Sequence, residues 1–148
     1  MTSIKATLGL LLAVVAAGAF AVAAGSASPR GGQLHVTKNC KDYNFAAGDF
    51  CTITSSNLNA IKAHSRVVYA SAADLTAGLL DSDLVIDGPG NNNAFGHVVL
   101  DLFTLSGVVT LSGGTGSFSH FHAGPLVVAC PAFPDCSWDG QYSFSPPN

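Results

Sequence analysis

The chain has 148 residues, a formal net charge of −3 at pH 7 and only six Lys or Arg residues. Past residue 27 the cations stand singly at 30, 38, 41, 62 and 66, so they form no basic patch and argue against a nucleic-acid partner. All nine acids are aspartates, and the lack of Glu, the better helix former, favours a β-rich chain.

Residues 1–27 have the three parts of a secretory signal peptide. Lys5 supplies the positive start, residues 8–24 form an apolar run, and Gly25-Ser26-Ala27 offers a small-x-small cleavage motif. An uncleaved membrane anchor is the alternative, but the many Ala and Gly residues make the run weakly hydrophobic for that purpose. We therefore predict a secreted protein that has no membrane association after cleavage, and 121 of the 148 residues remain as one domain.

Residues 28–33 predict a flexible leader, and residues 34–148 predict a single β domain. Apolar and β-branched runs between Gly, Asn, Asp and Pro predict strands at 50–55, 61–69, 84–87, 95–103, 108–112, 118–123, 126–130 and 141–144. One short helix is predicted at 71–80, because Ser71 and Asp74 fit a capping box. About eight short, regularly spaced strands predict an all-β sandwich or barrel.

All four cysteines lie in the predicted mature chain, which is typical of disulfides in an exported protein. Four cysteines allow three pairings, and nearness in sequence around turn residues favours Cys40–Cys51 with Cys130–Cys136. A zinc site on the four thiolates is the alternative, but neither pair has the short spacing of structural zinc ligands.

The predicted strand at 95–103 is apolar on both faces. One face carries Phe95, His97, Val99, Asp101 and Phe103, whereas an antiparallel sheet with one wet face alternates more cleanly. Either the leader and loops cover this outer face or chains associate through it, so a homo-oligomer is predicted as one alternative.

The segment at 111–124 contains Gly113-Gly114-Thr115-Gly116, then Ser117 and Phe118. It resembles the Gly-Gly-Thr-Gly-x-Phe strand-turn-strand signature of the allene oxide cyclase and dirigent families. The resemblance covers about the last 100 residues and implies an eight-stranded antiparallel barrel with an apolar lumen. Within it the glycines supply a tight corner and Phe118 points to the core. We therefore predict a single-domain antiparallel β-barrel with at most one short helix.

Three histidines are the candidate site residues. Because strand side chains alternate, Phe118, His120 and His122 would share one face and point into the lumen together. His97 is the third candidate, and Asp101 on the same face could fix its tautomer or raise its basicity. The predicted ligand-binding set is therefore His97, Asp101, Phe118, His120 and His122.

The leading functional prediction is a barrel that binds a small hydrophobic molecule in its lumen. A cofactor-free isomerase or cyclase, in which a histidine moves a proton, is the first alternative. A secreted structural or interaction protein with a filled lumen is the second. No cofactor is predicted; a metal site is not favoured and would use His97, His120 and His122. Catalytic residues are not assigned, and the motif of a serine nucleophile is absent.

Overall fold

A computed structural model describes residues 30–145, and the predicted signal peptide lies outside the described residues. The strands are β1 (Gly31–Asn39), β2 (Phe50–Ser56), β3 (Arg66–Tyr69), β4 (Leu79–Asp87), β5 (Asn93–Asp101), β6 (Ser106–Gly114), β7 (Phe121–Ala132) and β8 (Asp135–Phe144). Each pairs antiparallel with the next, and β1 pairs with β8, so the sheet closes. The predicted all-β, eight-stranded barrel is confirmed.

Closure of the barrel depends on a strand that the sequence analysis missed. All of β1 pairs with β8, from Gly31 opposite Ser143 to Asn39 opposite Asp135. Residues 31–33 therefore belong to the barrel, and their assignment to a flexible leader is wrong. Gly-Gly-Gln has little intrinsic strand preference. These residues are extended because β8 supplies their hydrogen-bonding partner.

The predicted helix at 71–80 does not form: residues 71–78 make a turn, and residues 79–80 begin β4. Asp74 and Leu79 form an isolated antiparallel bridge, and the Asp74 carboxylate accepts hydrogen bonds from the backbone N–H groups of Thr76 and Ala77. Asp74 thus organises a short loop before β4, as Asp side chains commonly do in turns. The predicted strand at 61–69 is also too long, because only its end forms β3.

The segment after the glycine-rich corner differs from its prediction as well. Gly116–Phe118 is a single 3₁₀ turn, and 121–132 is one strand, β7, where two strands were predicted. At Gly116, φ is +56° and an added Cβ would lie 2.2 Å from Asn92 Oδ1. The predicted tight corner is therefore confirmed. It extends to Phe118, however, so the strand begins at Phe121 and not at residue 118 as predicted.

Inward side chains fill the barrel. In β4, for example, Leu80, Ser82, Leu84 and Ile86 are buried, and the residues between them are more exposed. The two barrel ends differ. At the end where β1 begins and β8 finishes, an aromatic cluster closes the interior, and its members are Phe118, Phe121, Tyr142 and Phe144. The lumen at that end is therefore packed with side chains.

The opposite end carries both disulfides. Cys40 pairs with Cys51 and Cys130 with Cys136, so the favoured pairing is confirmed. The first bond joins the segment after β1 to β2, and the second joins β7 to β8. Both strand pairs are thereby cross-linked close to the loops of that end.

The outer surface of the barrel retains an apolar row. Val99, Val108 and Val127 are cross-strand neighbours on β5, β6 and β7, and all three are exposed. No part of residues 30–145 covers them. Self-association stays a prediction. Between residues 30 and 145 there is no helix long and apolar enough to cross a membrane.

Candidate functional site

The predicted pocket of Phe118, His120 and His122 does not form. Phe118 is buried at the end of the 3₁₀ turn, whereas His120 and His122 are exposed. The prediction assumed an extended chain from residue 118 onwards, but β7 begins only at Phe121. Strand alternation therefore places Phe121 and Ala123 inside and His122 outside. The two imidazoles do not point into the lumen.

His97 is also on the outer surface, where it lies between two carboxylates of β4. Its Nδ1 is 2.8 Å from Asp83 Oδ1, and its Nε2 is 2.8 Å from Asp81 Oδ1. The hydrogen bond to Asp83 is the main cause that raises the pKa of His97, with Asp81 adding to it and partial desolvation opposing it. Asp101, the predicted partner, instead accepts hydrogen bonds from the backbone N–H groups of Phe103 and Thr104.

The three histidines do not converge on one ion. His122 lines a shallow outer groove of about 260 Å³ with Thr110, Ser112 and Gln141. Among residues 30–145 no group of three or more His, Cys, Asp or Glu side chains is placed to hold a metal. The hypothetical metal set His97, His120 and His122 is therefore not assembled.

An apolar pocket lies at the disulfide end of the barrel. Four loops, at 40–49, 70–78, 102–105 and 133–134, meet there and border a concave space of about 290 Å³ that is open to solvent. We call this pocket the mouth; its lining residues are Phe45, Leu75, Gly78, Leu102, Phe103, Leu105 and Phe133. Phe103 is 76% exposed and Leu75 63% exposed. Large apolar side chains gathered around a concave surface are typical of a binding site.

Backbone conformation shapes the mouth at three positions. Gly78 has φ +66°, and a Cβ at this position would lie 2.1 Å from the ring of Phe103, so only glycine lets that ring approach the loop so closely. Phe45 and Leu105 have φ values of 66° and 55°. Bulky side chains rarely adopt this left-handed conformation, which costs about 1–3 kcal/mol and often marks a ligand-binding site.

Beneath the mouth lies a smaller cavity of about 20 Å³, which we call the inner cavity. Phe45, Leu102, Leu105 and Phe133 line both spaces, so these four side chains form the layer between them. The inner cavity is also lined by both disulfides and by three polar side chains, Lys38, Tyr43 and Tyr69. It is about large enough for one water molecule.

Lys38 is the unusual residue of this interior. It is 4% exposed, and its Nζ donates a hydrogen bond to the hydroxyl of Tyr69. The same nitrogen lies 4.8 Å from the ring centroid of Trp138 and 3.9 Å from Cys51 Sγ. No carboxylate of the described chain forms an ion pair with it. Burial therefore lowers the pKa of Lys38 from 10.5 to about 7, since an unpaired ammonium is costly in an apolar interior.

Two tyrosine hydroxyls accompany the amine. Tyr43 is 7% exposed, and its hydroxyl is buried without a hydrogen-bond partner among residues 30–145. Desolvation, with a smaller effect of Asp49, raises the pKa of Tyr43 to about 12. Desolvation likewise raises the pKa of Tyr69. Both hydroxyls therefore stay protonated at neutral pH, and the one on Tyr43 has an unused donor.

The sequence contained one signal for this site. Leu34, Val36 and Lys38 occupy successive inward positions of β1. A basic residue therefore follows two aliphatic residues on the buried face of the strand. The signal was missed because the strand itself was not predicted. The loops of the mouth are far apart in sequence, and no local pattern brings them together.

No protein-family model, no curated protein and no solved structure matches this chain.

Proposed function

We propose that this protein is an exported β-barrel that binds a small apolar molecule at the mouth. The observation that carries the proposal is the apolar pocket of about 290 Å³, around which Leu75 and Phe103 remain largely exposed. Covering such side chains removes apolar surface from water, which favours binding by about 25 cal/mol per Å². The two disulfides support export, because such bonds persist in oxidising compartments.

The proposed ligand site lies at the entrance of the barrel, whereas the sequence predicted a site in the lumen. Inward side chains fill the barrel, and the inner cavity of about 20 Å³ is too small for an organic ligand. None of the predicted ligand-binding residues His97, Asp101, Phe118, His120 and His122 lines the mouth. The resemblance to the allene oxide cyclase and dirigent families, and a cyclase or isomerase activity with it, stay predictions.

A fluorescent apolar probe, N-phenyl-1-naphthylamine, tests the proposal. Phe103→Ser should weaken probe binding about tenfold or more, because about 1.5–3 kcal/mol accompanies full burial of such a side chain. Val127→Ser is the matched control, since Val127 is 60% exposed on the outer wall of the barrel and is not among the residues that line the mouth. Equal affinities of the parent and Phe103→Ser would refute the proposal, as would an equal loss in the control.

A further inference from the structure

The polar groups beneath the mouth point to the chemistry of the ligand. An interior amine and an unpartnered hydroxyl, Lys38 and Tyr43, face the same inner cavity. A ligand oxygen that accepts the hydrogen bond of the Tyr43 hydroxyl would give this buried donor the partner that the protein itself does not supply. The complementary ligand has an apolar body for the mouth and one hydrogen-bond acceptor at its end.

A carbonyl group fits this pair better than a carboxylate or an alcohol does. Its oxygen accepts the hydrogen bond from Tyr43, and its carbon is electrophilic towards an amine. Desolvated lysines in apolar pockets are the type that reacts with carbonyl compounds, because a useful fraction of the amine is neutral. At pH 7 about half of Lys38 is neutral, against fewer than about one in a thousand molecules of an ordinary lysine.

We propose that Lys38 forms a reversible imine with an apolar aldehyde that is bound at the mouth. The inference rests on the proposed function and names the ligand class of the same site. The nitrogen lone pair attacks the carbonyl carbon, the carbonyl oxygen takes up a proton, and the amine loses one. The carbinolamine hydroxyl takes up a second proton and the nitrogen gives up its second hydrogen. The carbon–oxygen bond breaks, water leaves, and the carbon–nitrogen double bond forms without any oxidant or reductant.

Two tyrosine hydroxyls assist this reaction. The Tyr43 hydroxyl donates to the aldehyde oxygen and polarises the carbonyl. The Tyr69 hydroxyl already accepts a hydrogen bond from Lys38 Nζ, so it is placed to relay the proton that the amine gives up. The apolar surroundings keep bulk water away from the product, which would otherwise hydrolyse.

The layer between mouth and inner cavity has to open for the aldehyde to reach Nζ. Phe45 and Leu105 belong to this layer, and both are held in the left-handed backbone region. A change of φ at either residue to the common negative region would relieve that strain and move its side chain, which offsets part of the cost of opening. The same two residues therefore act as the gate between the mouth and Lys38.

Reductive trapping with decanal tests the proposal. The folded protein with both disulfides intact is incubated at pH 7 with decanal and cyanoborohydride, and its peptides are mapped by mass spectrometry. The peptide of Lys38 should carry the decyl group at least tenfold more than the peptides of Lys41 and Lys62, which are exposed internal references. Tyr43→Phe should slow trapping about tenfold and leave the affinity of the apolar probe unchanged.

Decanol separates failure of the imine from failure of the binding site. Decanol should displace the probe from the mouth, but it cannot form an imine. Displacement by decanol with no preference for Lys38 in the trapping experiment would overturn the imine and keep the proposed function. Trapping at Lys41 and Lys62 alone, with no displacement by decanol, would overturn both. Lys38→Met should abolish the trapped product and leave displacement by decanol intact.

Discussion

Replacing Lys38 with Met should stabilise the protein at neutral pH and remove a pH dependence. Burial lowers the pKa of Lys38 from 10.5 to about 7, so between these values the unfolded chain binds a proton that the folded chain does not. Stability therefore falls as pH falls through this window and levels off below about pH 7. At 1.36 kcal/mol per pKa unit, the loss at pH 7 is about 4 kcal/mol.

The variant also loses a favourable contact. Met cannot donate to the Tyr69 hydroxyl, and leaving that buried group short of a partner costs about 1–3 kcal/mol. The net expectation is a gain of about 1–3 kcal/mol for Lys38→Met at pH 7. The double variant with Tyr69→Phe also removes the hydroxyl that has lost its partner, so it should recover part of the cost of leaving that hydroxyl unpaired.

Urea unfolding monitored by fluorescence measures these differences, because Trp138 is the only tryptophan and is fully buried. Parent stability should rise by about 2 kcal/mol from pH 7 to 9 relative to Lys38→Met. His97 gives stability the opposite pH dependence, because its raised pKa adds stability that is lost as pH rises. This contribution is the same in both proteins, so it cancels in the difference between their stabilities. Above about pH 10 the raised pKa values of Tyr43 and Tyr69 lower the stability of both proteins, since these tyrosines ionise first in the unfolded chain.

The control is Lys41→Met, which removes the same charge from an exposed position. The stability of this variant should change with pH in the same way as that of the parent. The reasoning would be refuted if the stability difference between parent and Lys38→Met did not change from pH 7 to 9. A variant that is several kcal/mol less stable than the parent at pH 7 would refute it equally.

Three further outcomes are expected. Gly78→Ala should displace the Phe103 ring and weaken probe binding at the mouth, since the new Cβ would lie 2.1 Å from that ring; a crystal structure with the ring unmoved would contradict this. Asp83→Asn should lower the pKa of His97, as followed by NMR titration of the imidazole, because the Asp83 hydrogen bond is the main cause that raises it. Phe118→Ala should cost about 3–5 kcal/mol in urea unfolding, because Phe118 is 1% exposed within the aromatic cluster; a loss below 1 kcal/mol would mean that this end is loosely packed.

More of the fold than of the candidate site could be predicted from the sequence. Most strands were recognised from short β-branched runs between turn residues, and the disulfides from cysteines that are near in sequence. β1 was not predicted, because Gly31-Gly32-Gln33 is extended only through its pairing with β8 and the alternation that follows at residues 34–38 was not recognised. Local preference is weak evidence where a distant strand decides the conformation.

The histidine prediction failed for a different physical reason. Period-two alternation holds only within an uninterrupted strand, and the 3₁₀ turn at Gly116–Phe118 shifts the phase between Phe118 and β7. One residue of slip moves every following side chain to the other face. Lys38, which does point into the interior, lies in β1. Because β1 was not predicted, the alternation of Lys38 with Leu34 and Val36 was not recognised.

The pairing of β1 with β8 has a practical consequence for handling this protein. Because Gly31 lies opposite Ser143, both ends of the described chain leave the barrel side by side at the pole that the aromatic cluster closes. A tether, tag or fused domain at either end would thus stand about one barrel length from the mouth. Surface immobilisation through either terminus should leave ligand entry unobstructed, and a short linker between residues 30 and 145 could join them for circular permutation.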